Sequence, residues 1–194
     1  MNNSADHSVS KPKDSIIIRT PQKEDAAAIL EYCKIIGGES HNLTFGSEGI
    51  DKSIEEEQKF IEDTNKHPIN RLWIAEVDGE IASFCDLFVA PKARMAHRAG
   101  FGLSVRKAFW HQGIATAMMK EIMNYAKAQS TIAIISIEVI EDNERAIALY
   151  ERFGFQKVAY LKNFFHIQEQ VLGAYIMEYE FSERSDRNDF ITCN

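Results

Sequence analysis

The spacing of apolar residues predicts alternating strands and helices along the chain. An apolar run at 16–18 predicts a first strand, and apolar residues at helical spacing after Pro21 predict a helix. The segment 36–49 is punctuated by glycines and has the composition of a loop. An amphipathic pattern at 53–66 then predicts a second helix, which ends before Pro68.

A hairpin and a further set of strands and helices follow. The apolar runs 72–77 and 80–89 flank Asp78 and Gly79, a pair typical of a tight turn. The remaining predicted elements are a strand at 97–105, a helix carrying Ile114 to Tyr125, a strand at 132–140, a helix at 143–153, and strands at 155–161 and 171–181. The run 132–140 is almost unbroken in its apolar residues, which is typical of a strand covered on both faces.

This order of elements predicts an α/β fold. Three successive strands are expected to be antiparallel, and a β–turn–α–β unit forms the middle of a mixed sheet. No linker or repeat is visible between 15 and 181, so we expect one domain there. The polar ends are predicted to be a disordered leader at 1–14 and a frayed tail at 182–194.

Charge and cysteine content limit the binding partners and the cellular compartment that we expect for this protein. The 22 basic and 29 acidic residues give a net charge of −7, which argues against a nucleic-acid partner and favours a cationic small molecule or basic peptide. Cys33, Cys85 and Cys193 show no disulfide or metal spacing, so we expect reduced thiols and no metal site. We find no signal peptide and no apolar run that could span a bilayer, and therefore expect a cytoplasmic protein without a membrane partner.

The junction between the predicted strand at 97–105 and the next helix carries candidate chemistry. The stretch 109–116 reads FWHQGIAT, with small residues at Gly113 and Ala115 and a hydroxyl at Thr116. A helix that begins directly after a strand presents free backbone N–H groups and a partial positive charge, so this turn could cradle a pyrophosphate. An equally open interpretation is that the glycine only allows the chain to turn.

Two other phosphate-binding motifs fit this junction less well. A Walker phosphate loop requires a lysine after the last glycine, and Ile114 follows Gly113 here. A dinucleotide fingerprint requires three glycines and a ribose-binding acid, and neither is present.

Two longer motifs together resemble the GNAT superfamily of N-acetyltransferases. The string V-x4-W-x2-G-x-A at 105–115 is similar to the acetyl-CoA loop of that family, V-x4-[RQ]-x2-G-x-[GA]. The string V-x3-N-x2-A-x2-LY-x3-GF at 139–155 is similar to its helix running from an asparagine to a tyrosine. The resemblance implies a GNAT-type domain at 15–181, with a splayed strand pair in a mostly antiparallel sheet and acetyl-CoA as co-substrate.

The resemblance also assigns residues to acetyl-CoA. Pantetheine is expected along the exposed strand backbone before the loop, and the pyrophosphate is expected on the loop amides. The implied cofactor-binding residues are Leu103, Ser104, Val105, Trp110, His111, Gln112, Gly113, Ile114, Ala115, Thr116 and Asn143. Asn143 is equally well interpreted as a helix N-cap. Trp110 departs from the family's Arg or Gln, so it either packs on the adenine or anchors the loop, and His111 replaces a common glycine.

Tyr150 matches the family tyrosine that protonates the departing CoA thiolate, although a tyrosine on an apolar helix face can also be a core residue. The general base is left open among Glu138, Glu39, His97, Asp86 and a water chain. We expect the acceptor, a primary amine, to bind near the loop 36–50 and the last two strands.

The resemblance implies direct transfer in a ternary complex, because no nucleophilic Cys or Ser motif is present. The alternative is a non-catalytic acyl-CoA sensor with the same fold. A third interpretation, a nucleotide phosphate-loop protein, lacks the required lysine. The segment 163–170 is interpreted as a source of apolar contacts or as the edge of a homodimer.

Overall fold

The predicted order of strands and helices is confirmed by the computed structural model, which describes residues 16–167 and 169–181. The predicted leader at 1–14 and tail at 182–194 lie outside these residues. The helices are α1 (Ala26–Glu39), α2 (Ile54–Lys66), α3 (Ile114–Ala128) and α4 (Glu144–Arg152). The strands are β1 (Ile17–Arg19), β2 (Arg71–Val77), β3 (Glu80–Val89), β4 (Arg98–Val105), β5 (Ile134–Ile140), β6 (Gln156–Ile167) and β7 (Gln170–Glu180).

The strands form one sheet in the order β1-β2-β3-β4-β5-β7-β6. Every neighbouring pair is antiparallel except β4 and β5, which are parallel. The helix α3 connects β4 to β5, as a parallel crossover requires. The mixed, mostly antiparallel sheet expected from the sequence is therefore confirmed.

The parallel pair β4–β5 separates soon after it forms. Their pairing comprises only Arg98 with Ile134 and Ala99 with Ile135, although β4 continues to Val105. In contrast, β5 pairs with β7 along its whole length and β4 pairs with β3 from Ala99 to Val105. The sheet thus contains a gap between β4 and β5, open from Gly100 onward.

Two hydrophobic cores cover opposite faces of the sheet. On one side, which we call the α3/α4 face, Met118 and Ile122 of α3 pack with Cys85 and Leu87 of β3. On the other, the α1/α2 face, Ile29 of α1 and Ile61 of α2 pack with Leu72 and Ile74 of β2. Each face therefore has its own pair of helices.

The strand β5 is less enclosed than its apolar sequence predicts. Ile135, Ile137 and Val139 are buried in the α3/α4 core, but Glu138 is exposed. The buried residues of the α1/α2 core come from the two helices and from β2 and β3, so that core does not extend over β5. The α1/α2 face is consequently open beside the gap.

The prediction of a loop at 36–49 was wrong for its first residues. Helix α1 continues through Gly37 and Gly38 to Glu39, and the loop begins at Ser40. A Cβ on Gly37 would lie 1.9 Å from the carbonyl oxygen of Gly46, so the bare helix surface lets the loop pack directly against it. Close packing of the loop therefore outweighs the poor helix propensity of two glycines.

Substitution of the two helical glycines by alanine should change the stability of the fold in opposite directions. We expect Gly37→Ala to destabilise the fold by about 1–3 kcal/mol, because its methyl group must displace the Gly46 carbonyl. Gly38→Ala is the matched control, since its Cβ would meet the Ser47 Cβ at an ordinary 3.6 Å. It should gain about 0.4–1 kcal/mol from helix propensity. Urea unfolding measures both, and equal effects would contradict the packing argument.

The last hairpin is longer than predicted. Strand β6 runs from Gln156 to Ile167 rather than ending at Leu161, with a register shift between Leu161 and Phe165 around Asn163, which has a φ of 56°. Residues 163–167 and 170 thus belong to the β6–β7 hairpin, whose Val158, Tyr160, Phe164 and Val171 are exposed. A homodimer edge at this hairpin stays a prediction.

Neither described cysteine is paired, and none of the helices within 16–167 and 169–181 has the length and apolar character needed to cross a bilayer. Cys33 and Cys85 are both buried, and burial raises the pKa of the Cys33 thiol to about 11. The third cysteine, Cys193, lies outside the described residues.

Candidate active site

The backbone of β4 turns alternate residues toward the gap. Beyond the end of β4, the N–H of Arg106 donates to the carbonyl of Ala82, which continues the antiparallel pairing with β3. Because hydrogen-bonded residues alternate along an antiparallel pair, the even-numbered residues of β4 bond to β3. The backbone groups of Phe101, Leu103 and Val105 therefore face the gap, where β5 provides no partner.

Ser104, also predicted to bind the cofactor, forms its hydrogen bonds away from the gap. Its carbonyl accepts a hydrogen bond of 2.7 Å from the Ser83 hydroxyl, and its own hydroxyl lies 2.9 Å from the Tyr32 hydroxyl. These contacts join β4 to β3 and to α1. By contrast, the backbone of Leu103 and Val105 faces the gap, and contact of these residues with acetyl-CoA stays a prediction.

The turn before α3 is open and has no anionic group of its own. His111 and Gly113 have φ angles of 63° and 83°, and Gly113 is the N-cap residue without any side-chain cap for the helix. The first turn contains no acidic residue. A Cβ added to Gly113 would meet nothing within 4 Å, so the turn has space over it and needs glycine for its φ. This geometry suits an anion bound by the backbone N–H groups.

Trp110 anchors the turn, one of the two roles left open by the sequence. Its indole N–H donates to the Val105 carbonyl at 2.7 Å, so it occupies the last free carbonyl at the gap. The Arg145 guanidinium lies 4.0 Å from the centre of the Trp110 ring, and the Lys107 ammonium lies 5.9 Å from it. Two cations therefore flank the turn at the position where the family pattern has a basic or amide side chain.

Arg145 is a site residue that sequence reasoning missed. It stands two positions after Asn143 in α4, and only the folded chain brings it over Trp110. Its exposed position in the first turn of a helix gave no signal beyond its charge. The contact with Trp110 is a cation–π interaction, which holds the guanidinium close to the start of α3.

Asn143 serves as the N-cap of α4. Its side-chain oxygen accepts a hydrogen bond of 3.2 Å from the Ala146 N–H. This is the structural role that the sequence left open beside cofactor binding, and a capping oxygen leaves the amide NH₂ available to another acceptor.

Tyr150 lies on the α3/α4 face next to the gap. Its ring contacts Phe101 of β4 edge-on, with 5.6 Å between centroids, and packs at 5.9 Å against Phe155. It is buried, and burial raises the pKa of its phenol well above the usual value of 10, with the nearby Cys85 adding to the effect. The hydroxyl therefore stays protonated at neutral pH and can donate a hydrogen bond or a proton.

The four side chains considered as general bases occupy different environments. Glu39 accepts a hydrogen bond of 2.7 Å from the Lys107 N–H, which ties the end of α1 to the turn after β4. His97 precedes the two paired residues of β4, at the closed end of the gap. Glu138 is exposed on β5, and Asp86 is partly buried on β3 with its pKa raised by burial.

The loop after α1 reaches toward the start of α4. His41 lies 3.4 Å from Asp142, an ion pair when the histidine is protonated, and both side chains are exposed. Glu48 instead accepts a hydrogen bond of 2.8 Å from the Gly46 N–H. Glu39 and Glu48 thus accept hydrogen bonds from different backbone N–H groups. Within 16–167 and 169–181, no three metal-ligating side chains come together.

Solved structures show the same fold at low sequence identity. An acetyltransferase of the GNAT family from Streptococcus pneumoniae superposes with a TM-score of 0.82 at 20% identity, over 86% of this chain and 99% of that one. The structure of yncA from Salmonella typhimurium, described as a putative acetyltransferase with its cofactor acetyl-CoA, superposes with a TM-score of 0.74 at 14% identity, over 86% and 94%.

Curated relatives match shorter segments. The L-amino acid N-acetyltransferase AaaT of Escherichia coli is 26% identical over an alignment of 103 positions that covers 46% of this chain and 64% of that protein. The N-alpha-acetyltransferase RimI of Mycobacterium tuberculosis is 28% identical over 65 residues, 34% of this chain and 39% of that protein. The chain thus spans less than two thirds of each relative. A model of the acetyltransferase (GNAT) family matches residues 39–155, more than half of the sequence, and the chain therefore belongs to the GNAT acetyltransferase family.

Proposed function

We propose that this protein is an acetyl-CoA-dependent N-acetyltransferase that transfers the acetyl group directly to a primary amine. The observation that carries the proposal is the gap at the centre of the sheet. There β4 leaves β5 after two residue pairs and ends at the uncapped turn of α3. A ligand with amides at one end and a diphosphate at the other matches both features, and acetyl-CoA is such a ligand.

The free strand edge would hold the pantetheine arm. The N–H and carbonyl groups of Phe101 and Leu103 face the gap without a strand partner, and an amide-bearing ligand can satisfy them by pairing as an extra strand does. The Val105 carbonyl is already bonded to Trp110, so the arm would pair with the two preceding residues.

The turn of α3 would hold the diphosphate. The N–H groups from His111 to Thr116 are the predicted donors, and the helix dipole adds a partial positive charge at the same place. Arg145 and Lys107, which both lie near the Trp110 ring, would contribute the cationic charge that this chain lacks at position 110 itself.

Tyr150 would serve as the acid toward the leaving sulfur. Its raised pKa keeps the phenol protonated, and its contact with Phe101 places it beside the open part of β4. A thiolate that departs at the gap would take a proton or a hydrogen bond from this hydroxyl.

Direct transfer is favoured over an acetylated enzyme. A nucleophilic cysteine must be a thiolate, and burial raises the pKa of both Cys33 and Cys85. Neither thiol therefore suits a covalent step. One named relative is an L-amino acid N-acetyltransferase and the other is an N-alpha-acetyltransferase, so α-amines head the list of acceptors we propose for this chain.

The contribution of Arg145 can be measured by binding alone. We expect Arg145→Ala to weaken CoA affinity about 5- to 20-fold, because a charge-assisted contact to phosphate contributes about 1.5–3 kcal/mol when well placed and less when exposed. The matched control is Arg152→Ala, which removes the same charge from the other end of α4. Calorimetric titration with CoA compares them, and equal losses would refute a local contact.

The function itself is tested with an amine panel. Purified protein is mixed with acetyl-CoA and a set of amino acids, polyamines and peptides, and both free CoA thiol and the acetylated product are measured. Amine-dependent thiol release with a matching product mass supports the proposal. Tight CoA binding without transfer to any amine would instead support a non-catalytic acyl-CoA sensor, and no CoA binding would refute both.

A further inference from the structure

Asp86 lies where β4 leaves β5, on the α1/α2 face of the sheet. Phe84 and Phe88 pack against the α1/α2 core, whereas Cys85 and Leu87 belong to the α3/α4 core. Because side chains alternate along a strand, the Asp86 side chain projects toward the α1/α2 face. Asp86 is in register with Gly102 of β4 and accepts a hydrogen bond of 2.7 Å from its N–H. It is a carboxylate held beside β4, one strand away from the gap.

The part of β4 beside the Asp86 carboxylate has glycines in place of larger side chains. Gly100 and Gly102 of β4 lie on the α1/α2 face beside Asp86, between Arg98 and Ser104 of the same face, and Gly102 is exposed. A Cβ on Gly102 would lie 3.1 Å from an Asp86 carboxylate oxygen, so glycine at this position avoids crowding the carboxylate. A substrate on this face can therefore approach both the backbone of β4 and the carboxylate.

Tyr150 approaches the same part of β4 from the opposite face. Phe101 stands between the two glycines and projects to the α3/α4 face, where its ring contacts Tyr150. The carboxylate and the phenol thus flank three consecutive residues of β4, one from each side of the sheet. In acyl transfer the nucleophile enters and the leaving group departs at different sides of one carbonyl carbon, which this arrangement suits.

We infer, resting on the proposed function, that Asp86 binds the acceptor amine and removes its proton. The ammonium proton passes to the Asp86 carboxylate, directly or through one water, which frees the nitrogen lone pair. The nitrogen forms a bond to the acetyl carbonyl carbon and the carbon–sulfur bond breaks. The sulfur keeps that electron pair and takes the proton of Tyr150. The nitrogen loses its second proton as the amide forms, and that proton returns through water to the Tyr150 oxygen. Asp86 releases its proton to solvent before the next turnover, so charge and protons balance.

The other carboxylates beside the gap are less suited to this task. Glu39 is hydrogen-bonded to the Lys107 backbone at the turn of α3, the diphosphate end. Glu178 is paired with Arg98 on the same face. Glu138 is exposed on β5, where solvent competes for any proton it handles.

The electrostatic surroundings favour Asp86 as a base. Among the other ionisable groups that the packed elements bring to this face are Tyr32, Cys33, Lys52, Glu57, Arg98, Glu138 and Glu178. Lys52 pairs with Glu57, as Arg98 does with Glu178. Burial raises the pKa of Asp86 above 3.8, opposed by hydrogen bonds from the Gly102 N–H and its own N–H. A raised pKa makes the carboxylate a stronger base.

The raised pKa of Asp86 allows the effect of its substitution on stability to be distinguished from the effect on catalysis. A carboxyl group whose pKa is raised in the folded state costs stability when it ionises, so that cost appears as the pH rises through the folded pKa. Asp86→Asn removes the cost and keeps an oxygen that can accept the Gly102 hydrogen bond. We therefore expect Asp86→Asn to be at least as stable as the wild type at pH 7, with unchanged CoA affinity.

The test compares wild type, Asp86→Asn and Glu138→Gln with the best acceptor found in the amine panel. We expect Asp86→Asn to lower kcat/KM about 10²-fold at pH 7. The deficit should shrink as the pH approaches the pKa of the amine, because a neutral amine needs no base. The wild-type profile should fall on the acid side as Asp86 protonates, and that acid limb should be lost in Asp86→Asn. Asp86→Ala should regain activity when formate is added.

Glu138→Gln makes the same change on the other wall of the gap and should stay within about 3-fold of wild type. If Asp86→Asn is as active as wild type, or loses activity equally at every pH, the inference is wrong while the proposed function stands. If Glu138→Gln instead shows the pH-dependent loss of activity, the general base is on β5. A wild type that releases no CoA with any amine would refute the proposed function first.

Discussion

Replacing Tyr150 by phenylalanine is expected to lower kcat about 10²-fold or more while CoA affinity stays within about 3-fold of wild type. The substitution removes one oxygen from a ring that packs against Phe101 and Phe155, so the apolar contacts persist. What is lost is the proton donor beside the gap. Steady-state kinetics with the best acceptor, together with calorimetric titration of CoA, measure both quantities.

The pH profile sharpens this test. Since burial raises the Tyr150 pKa above its usual value, the phenol remains protonated between pH 7 and 9 and should produce no alkaline fall of activity there. Tyr179→Phe is the matched control, because the Tyr179 ring also packs against Phe155, at 5.7 Å, from β7. Equal kcat values for Tyr150→Phe and wild type would remove the assigned role.

Thr116→Glu is expected to weaken CoA binding about 10²-fold without destabilising the protein. Thr116 is the third residue of α3, beside the N–H groups proposed to hold the diphosphate. Two like charges about 5 Å apart repel by about 3 kcal/mol at an effective dielectric constant near 20, which corresponds to that loss. The same carboxylate faces the positive end of the helix dipole, so it should stabilise the free protein by about 0.3–1 kcal/mol.

These opposite effects make the experiment diagnostic. Affinity is measured by calorimetry and stability by thermal unfolding, with Thr116→Gln as a neutral control of the same length. The control should bind CoA within about 3-fold of wild type. Salt should narrow the difference between the two variants, because it screens partly exposed charges. If Thr116→Glu and Thr116→Gln bind CoA equally, the diphosphate does not lie at this turn.

Much of the fold was predictable because its patterns are local. The capping residue Ser53, whose hydroxyl accepts the Glu56 N–H, and the turn at Asp78 and Gly79 each fix an element boundary through residues a few positions apart. The wrong boundary of α1 has a different origin. Gly37 favours a loop by its own propensity, and the helix persists there through packing against Gly46, which is distant in sequence.

The candidate site was predictable along β4 and α3 and much less so elsewhere. The turn at Gly113 and the position of Tyr150 follow from motifs that the sequence displays in order. The contact of Arg145 with Trp110, the pairing of Glu39 with the Lys107 backbone and the environment of Asp86 depend on how separate elements pack. The sequence left four candidate bases, and only burial and register on the sheet distinguish them.

The gap between β4 and β5 has a consequence for how such a chain can diverge. The groups proposed to hold acetyl-CoA there are main-chain atoms, which every amino acid except proline supplies alike. Most side chains along this part of the chain can therefore be substituted while acetyl-CoA is still bound. The acceptor, in contrast, would be recognised through individual side chains such as Asp86, so substitutions at a few positions could redirect the chain to a new acceptor.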